Sequence, residues 1–255
     1  MNSSTTAVGI RRHALVLGGT GAIGVAVLRG LAQRGVPTTF TYLRSSEKAV
    51  ELASETGHTA VQIDLSQPAA LRAMFVDLDR RGIAADVLIH CAAIHRAAPL
   101  AEIADTDFDL AVAVSGRAAF VAVQEFASRL AKEKDDARPP AGGRPGHVVI
   151  VSALERAQSV PLTPSFAAAQ GMLAPLAMAL AKELGPRNIR VNVVAGGLIG
   201  EGVSRGIDPK RMRDFEKFSA LRRLGTSAEI AAAVVFLALD NDYMSGKTLA
   251  ANGGI

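Results

Sequence analysis

The sequence predicts an α/β fold in which helices cover both faces of a doubly wound parallel sheet. Short apolar runs rich in Val, Ile, Leu and Thr alternate along the chain with longer segments of helical periodicity. Each pair of runs is separated by enough residues for a crossover helix, which neighbouring parallel strands need. No repeat or linker divides the 255 residues. We therefore expect a single domain over residues 13–255, preceded by a disordered tail at residues 1–12.

The strands are predicted from apolar or β-branched runs that end at polar or glycine-rich turns. They fall at residues 13–17, 38–43, 59–63, 86–93, 147–151, 189–194 and 247–251. The first is followed at once by a glycine-rich turn, and the second is the most β-branched. Residues 132–146, before the fifth strand, hold three prolines and three glycines and are typical of a surface loop.

The helices are predicted from apolar periodicity and from Ser or Pro at their starts. They fall at residues 23–31, 47–55, 68–81, 108–130, 165–184, 209–218 and 228–239. The helices at 108–130 and 165–184 are long and apolar. Pro175 should kink the second, because proline cannot donate the hydrogen bond to the Gly171 carbonyl. Residues 196–224 are irregular and basic and form a predicted lid.

The composition argues against several classes of protein. Hydrophobic residues make up 49% of the chain and aromatics only 4%, so small aliphatic side chains should form the core. No apolar run reaches the roughly 18 residues that span a bilayer, and residues 1–12 lack the apolar segment of a signal peptide. The single cysteine, Cys91, excludes an intrachain disulfide and favours a cytoplasmic location. The basic residues behind the net charge of +4 are scattered, so we expect neither nucleic acid nor a membrane as partner.

The first strand, the glycine-rich turn and the first helix together have the pattern of a dinucleotide-binding unit. Glycines let backbone N–H groups approach a pyrophosphate, and the helix N-terminus adds a partial positive charge. A tight turn without a ligand is the alternative, but the β/α alternation that follows favours a Rossmann-type fold. The cofactor-binding residues predicted from this pattern are Gly18, Thr20, Ala22, Ile23 and Gly24 in the turn, with Arg44 and Ser45 at the end of the second strand.

The end of the second strand predicts which dinucleotide is bound. An acidic residue there would accept hydrogen bonds from the ribose hydroxyls of NAD, whereas an arginine would pair with the 2′-phosphate of NADP. Arg44, followed by Ser45 and Ser46, stands at this place, and no acid does. The sequence therefore favours NADP(H), with a solvated surface arginine as the alternative.

The chain resembles the short-chain dehydrogenase/reductase family, and within it most closely the 3-oxoacyl-acyl-carrier-protein reductases. The segments that carry the resemblance are the glycine-rich turn, Asp64, residues 190–194, residues 223–231 and residues 243–254. They cover the chain from about residue 13 to its end. The resemblance implies an NADP(H)-dependent oxidoreductase fold and adds Asp64, Leu65 and Ala92 to the predicted cofactor-binding residues. It also implies a tetramer built on the two long helices and the last strand.

The resemblance also implies a carbonyl-reducing proton relay whose residues are replaced in this chain. In the family a Tyr-x-x-x-Lys pair lies on the second long helix, where the lysine lowers the pKa of the proton-donating tyrosine. Phe166 and Gln170 occupy those two positions. Ungapped counting places Ala153 at the serine that binds the substrate oxygen, and Ser115 at the asparagine that holds a relay water. The usual hydride-transfer mechanism should therefore be lost.

Several cofactor positions of the family are replaced as well. Ala22 replaces the middle glycine of the family's glycine-rich turn. Residues 90–93, His-Cys-Ala-Ala, replace the family's Asn-Asn-Ala-Gly motif after the fourth strand. Gly196 and Gly197 replace a Pro-Gly pair, and Glu201 replaces the threonine that meets the nicotinamide amide. We therefore expect the adenosine half of the site to persist and NADP(H) binding to be weak or absent.

Two residues are candidate replacements for the lost proton donor. His95 follows the fourth strand and carries an imidazole, a common proton donor in enzymes, and Glu155 follows the fifth. Glu201 and Ser115 should lie nearby. The alternative is that all are ordinary polar residues in an inactive cleft. No metal site is expected, because His90 and Cys91 are adjacent on a strand and point to opposite faces.

Basic residues suggest an acidic partner. The resemblance implies docking of acyl carrier protein through Arg144 and Arg187, with a solvated basic surface as the alternative. The lid adds Arg205, Lys210, Arg211, Arg213, Arg222 and Arg223. Three functions remain open: a non-catalytic partner of an active paralogous reductase or of a carrier-protein pathway, a repurposed non-redox or isomerising enzyme, and a ketoreductase whose substrate supplies the proton.

Overall fold

The fold is a single Rossmann-type domain, as the sequence predicts. The structure is a computed structural model that describes residues 12–132, 145–153 and 162–255. Its strands are β1 (Ala14–Leu17), β2 (Thr38–Tyr42), β3 (Thr59–Gln62), β4 (Val87–His90), β5 (Gly146–Ser152), β6 (Ile189–Gly196) and β7 (Thr248–Ala251). They form one seven-stranded parallel sheet in the order β3-β2-β1-β4-β5-β6-β7.

Nine α-helices lie within the described residues. They are α1 (Ala22–Gln33), α2 (Ser46–Thr56), α3 (Pro68–Arg80), α4 (Asp105–Val112), α5 (Ala118–Lys132), α6 (Pro164–Gly171), α7 (Leu173–Leu184), α8 (Pro209–Phe218) and α9 (Ser227–Leu239). Alternate side chains of the central strands point to opposite faces of the sheet. One face packs against α3, α5 and α7, and the other against α1, α2 and α9.

The order of the strands fixes the place of a binding crevice. The chain moves outward from β1 to β3 in one direction and from β4 to β7 in the other. β1 and β4 pair directly, with Leu17 beside His90. Ligands of doubly wound sheets bind outside the carboxyl ends of the strands at such a reversal.

Both long helices are interrupted, where the sequence predicts one continuous helix and a second that is kinked by Pro175. A π-helical turn, Ala113–Arg117, separates α4 from α5. The second helix breaks at Met172, between α6 and α7, one turn before Pro175, which cannot bond the Gly171 carbonyl. Met172 packs over Gly116 so closely that a Cβ on Gly116 would lie 2.2 Å from its sulfur. The two interruptions are therefore in contact.

The two interrupted helices are more apolar than the sequence analysis suggested. By length and composition, the stretches Asp105–Leu130 and Pro164–Arg187 would each suffice to cross a bilayer, although no uninterrupted apolar run does. Their inner faces pack on the sheet. Their outer faces leave several large apolar side chains exposed, namely those of Phe108, Phe120, Met172 and Met178.

The start of the domain and its loops can be compared with the sequence predictions, as far as the structure describes them. Arg12 donates hydrogen bonds to the carbonyls of Ala238 and Leu239 at the end of α9. The domain thus includes Arg12, one residue before the predicted start. Residues 1–11 of the predicted tail and residues 133–144 of the predicted surface loop lie outside the described residues. Within the lid, α8 has the predicted bounds.

Candidate active site

A cleft of about 980 Å³ opens at the carboxyl ends of the central strands. The glycine-rich turn forms one end of the cleft, and the lid forms part of its wall. Of the residues predicted to bind cofactor, those on the cleft wall are Gly18, Thr20, Ala22, Ile23, Arg44, Asp64, Leu65 and Ala92. Of the predicted relay and replacement residues, the wall holds His95, Ala153, Phe166 and Gln170.

The glycine-rich turn is held in the shape that a pyrophosphate needs. Gly18 has a φ of +80°, and its N–H donates to the Thr41 hydroxyl at 3.0 Å. A Cβ on Gly24 would lie 2.3 Å from the Gly18 carbonyl oxygen, so only glycine lets α1 approach the turn this closely. The first turn of α1 has no side-chain cap and no acidic residue. Its N–H groups are therefore available to an anion, and the turn fits a dinucleotide.

The sequence argument missed Thr41, which supports this turn. Its hydroxyl accepts from Gly18, and its carbonyl accepts from the Gly19 N–H at 2.8 Å. Thr41 is 1% exposed. A threonine on a central buried strand is the signal that could have identified it, because a buried hydroxyl needs a hydrogen-bond partner.

Arg44 and Asp64 lie at the adenosine end of the cleft. The Asp64 carboxylate accepts from the Ser66 N–H at 2.9 Å and fixes the turn after β3. Arg44 is exposed, and no residue in the described part of the chain pairs with its guanidinium. Ser45 is the residue before α2 and is exposed, but its side chain caps nothing. A guanidinium that forms no ion pair within the described residues is the arrangement that suits a 2′-phosphate.

Three of the four relay positions are joined by one side chain. Gln170 is 2% exposed. Its Oε1 accepts from the Ala153 N–H at 3.1 Å, and its Nε2 donates to the Ser115 hydroxyl oxygen at 3.3 Å. Ser115 is fully buried in the π-helical turn. The Gln170 side chain therefore ties the end of β5 to that turn.

Phe166 and His95 form the next part of the cleft wall. Their ring centroids are 4.9 Å apart in an edge-to-face arrangement with a 60° interplanar angle. His95 Nδ1 lies 3.2 Å from the carbonyl oxygen of Val203, which belongs to the lid. Because a carbonyl only accepts, Nδ1 carries the proton of this hydrogen bond. Nε2 is then the nitrogen left to meet a ligand.

His90 and Cys91 are unsuited to proton or metal chemistry. His90 is 1% exposed, and burial lowers its pKa to about 4, so the imidazole is neutral. Burial raises the pKa of the Cys91 thiol to about 12. The described residues contain no group of three or more His, Cys, Asp or Glu that could hold a metal ion.

The remaining predicted residues lie away from the relay positions. Glu201 accepts from the hydroxyl and the N–H of Ser227, at the start of α9. Arg187 precedes β6, at the opposite edge of the sheet from the cleft, and donates to the Ala127 carbonyl. Arg144 and Glu155 lie outside the described residues.

Comparison with known proteins identifies the family. The model of the family described as "Enoyl-(Acyl carrier protein) reductase" matches residues 19–255. The chain belongs to the short-chain dehydrogenase/reductase family. This match and the fold confirm the family predicted from the sequence.

Three relatives within the short-chain dehydrogenase/reductase family are informative. The cyclic-di-GMP-binding biofilm dispersal mediator protein of Escherichia coli K12 is 32% identical over 227 residues, 88% of each chain. The 3-oxoacyl-[acyl-carrier-protein] reductase MabA of Mycobacterium tuberculosis H37Rv is 25% identical over 247 residues, 96% of this chain and 93% of MabA. The crystal structure of BdcA in complex with NADPH superposes with a TM-score of 0.81 at 28% identity, over 95% of this chain and 93% of BdcA. The family thus includes ketoacyl reductases and NADPH-binding members.

Proposed function

We propose that this chain binds NADP(H) but does not reduce carbonyl groups by the proton relay of its family. It acts instead as a non-catalytic partner of an active reductase or as an accessory in a carrier-protein pathway. The observation that carries the proposal is the Gln170 side chain, which spans the place of the relay between Ala153 and Ser115. Beside it, Phe166 is 3% exposed and presents only a ring.

The cofactor part of the proposal is supported by the two ends of the nucleotide site. The uncapped N-terminus of α1 offers N–H groups to a pyrophosphate, and the close approach of Gly24 to the Gly18 turn holds it in place. Arg44 offers a cation at the place of a 2′-phosphate. The expected affinity is lower than that of an intact relative, since Gln170 lacks the charge of the lysine that holds the nicotinamide ribose.

The chemical part of the proposal follows from what the residues at the relay positions are able to do. When bound, NADPH supplies a hydride, and its transfer to a carbonyl carbon leaves a negative charge on oxygen. Phe166 has no proton to give, and Ala153 has no hydroxyl to donate. Gln170 carries no positive charge that would lower the pKa of a neighbouring donor. Loss of a general acid alone lowers rates by about 10²–10⁴.

The partner part of the proposal rests on surfaces outside the cleft. Phe108, Phe120, Met172 and Met178 leave apolar area exposed on the two interrupted helices, which a second copy or a paralogous reductase would cover. The basic lid is the described surface that suits an acidic carrier protein. Arg187 is engaged by the Ala127 carbonyl. A cytoplasmic location is part of the same proposal and rests on the single cysteine.

The test combines binding, turnover and co-purification. Calorimetry should detect NADPH binding, and the purified chain should oxidise no NADPH with acetoacetyl thioester. Tagged chain should co-purify with a paralogous reductase from its source cells. Robust turnover free of contaminating reductase would overturn the non-catalytic assignment, whereas a lack of NADPH binding would overturn the cofactor assignment.

A second candidate function is a reductase with a remodelled proton donor. The observation that favours it is the position of His95, which packs on Phe166 and is oriented by the Val203 carbonyl. An imidazolium at this place would donate from Nε2 into the cleft. Under this alternative His95→Phe abolishes NADPH-dependent turnover and Arg96→Gln, on the neighbouring residue, does not. Turnover without NADPH would instead indicate a repurposed, non-redox enzyme.

A further inference from the structure

The segment that follows β6 crosses directly onto the dinucleotide turn. Gly202 has a φ of +66°, and a Cβ built on it would lie 3.0 Å from the Cβ of Ala22. Ala22 is the first residue of α1 and stands at the middle glycine of the turn. The backbone of the segment therefore lies against the methyl group of Ala22, at the helix N-terminus that a pyrophosphate would use.

A carboxylate lies beside this contact. Glu201 Oε1 accepts from the Ser227 hydroxyl at 2.5 Å and from the Ser227 N–H at 3.3 Å. The hydroxyl bond first, and then the backbone bond and the charges of Arg205 and Lys48, hold the pKa of Glu201 below its usual value. Glu201 is therefore ionised at neutral pH, one residue away from the contact with Ala22.

The segment is also fastened on the opposite side of the cleft. The Val203 carbonyl accepts from His95 Nδ1 at 3.2 Å, and Ser204 is buried. Residues 201–204 are thus held by α9 on one side and by the loop after β4 on the other. Gly202, Val203 and Ser204 line the cleft, and Gly202 lies against Ala22 of the dinucleotide turn.

We propose that residues 201–204 are an autoinhibitory latch that competes with the pyrophosphate of NADP(H) for the dinucleotide turn. The inference rests on the proposed NADP(H) binding. In the closed position the Glu201 carboxylate repels an incoming phosphate, and Gly202 occupies the approach to Ala22. Binding then requires the latch to open, and the observed affinity is reduced by the fraction of molecules that are open.

Two substitutions weaken the latch by different means. Glu201→Gln removes the charge and keeps an oxygen that accepts from Ser227. Ala22→Gly removes the methyl group that Gly202 touches. Each should tighten NADPH binding in calorimetry by about tenfold, an ordinary coupling between two sites. The gain from Glu201→Gln should shrink at high salt, because it is electrostatic.

The controls are matched within the same helices. Glu229→Gln removes a carboxylate that lies in the first turn of α9, the turn that Glu201 contacts; Glu229 pairs with Arg223 and accepts from the Thr226 N–H. Ala26→Gly places a glycine elsewhere on α1. Neither should tighten NADPH binding. Because both test substitutions act on one latch, the double variant should gain less than the product of the two single gains.

The possible outcomes distinguish failure of the latch hypothesis from failure of the NADP(H) assignment. If the unmodified chain binds NADPH and both single variants bind it equally well, the latch is refuted and the cofactor assignment stands. If no variant binds NADPH, the cofactor assignment fails and the latch fails with it. Binding that is detectable only in the latch variants would support both.

Discussion

Gln170 donates from Nε2 to the Ser115 hydroxyl oxygen at 3.3 Å, and so joins α6 to the π-helical turn between α4 and α5. The same side chain accepts from the Ala153 N–H at 3.1 Å. A buried amide that satisfies two neighbours in this way stabilises the fold, and removing it leaves both without their partner. The residue that the sequence predicts at the place of a catalytic lysine is thus part of the framework.

This relationship predicts the effect of Gln170→Leu. The Ala153 N–H and the Ser115 hydroxyl lose a buried partner, so the free energy of unfolding should fall by about 1–3 kcal/mol. Urea denaturation measures the loss. Gln124→Leu, an exposed amide on α5 that accepts only from Arg72, is the control and should cost far less. Equal losses in the two variants would contradict a framework role for Gln170.

A second prediction concerns restoration of the relay. The fourfold variant Phe166→Tyr, Gln170→Lys, Ala153→Ser and Ser115→Asn should gain measurable NADPH-dependent reduction of acetoacetyl thioester. Phe166→Tyr alone should gain little, because residues that act as a unit are not additive. The single variant is therefore the control. Equal activity of the single and fourfold variants would contradict the assignment of these four positions.

A third prediction concerns Arg44 and the choice of dinucleotide. Calorimetry should show that the unmodified chain binds NADPH more tightly than NADH. Arg44→Ala should weaken NADPH binding by about tenfold to a hundredfold, as expected for the loss of a charged hydrogen bond. The same substitution should leave NADH binding nearly unchanged. Arg80→Ala, on the surface of α3, should change neither. Tighter binding of NADH by the unmodified chain would refute the prediction.

A fourth prediction concerns stability in acid. Burial lowers the pKa of His90 to about 4 and that of His147 to about 4, whereas an unfolded histidine has a pKa of about 6.5. Between these values the unfolded chain binds more protons, so stability is full above pH 6.5 and falls as the pH drops towards 4. Each pKa unit is worth about 1.4 kcal/mol.

Urea denaturation at a series of pH values tests this prediction. His90→Asn removes one of the two groups and should lose less stability between pH 7 and pH 5 than the unmodified chain. His95→Asn, at a partly exposed position, is the control and should keep the original slope. An unchanged slope in His90→Asn would show that His90 does not carry the effect.

A fifth prediction concerns assembly. Light scattering at micromolar concentration should find a dimer or tetramer, alone or with a paralogue, built on the interrupted helices. Phe120→Lys places a charge on their exposed face and should yield monomers. Val50→Lys changes an apolar residue on α2 that is more exposed than Phe120 and should leave the assembly intact. A monomeric unmodified chain, with and without the paralogue, would refute the prediction.

The sequence predicted the fold more completely than the site. The spacing of strands and helices was enough to predict a doubly wound sheet. Each buried strand or helix must carry apolar residues at a regular spacing, and this spacing is visible in the sequence. The contacts of Gln170 could not be predicted, since they depend on the π-helical turn that presents Ser115. The orientation of Glu201 towards α9 depends on the path of the lid. Such contacts join residues that are distant in sequence, so local sequence patterns cannot predict them.

Cys91 lies on the cleft wall and is partly buried. It is the only cysteine in the chain, and with a thiol pKa of about 12 it is almost never a thiolate at neutral pH. Maleimide reagents should therefore label the native chain slowly. A cysteine introduced at exposed Val203 would be the one rapidly reacting thiol, and a fluorophore attached there would report movement of the lid in real time.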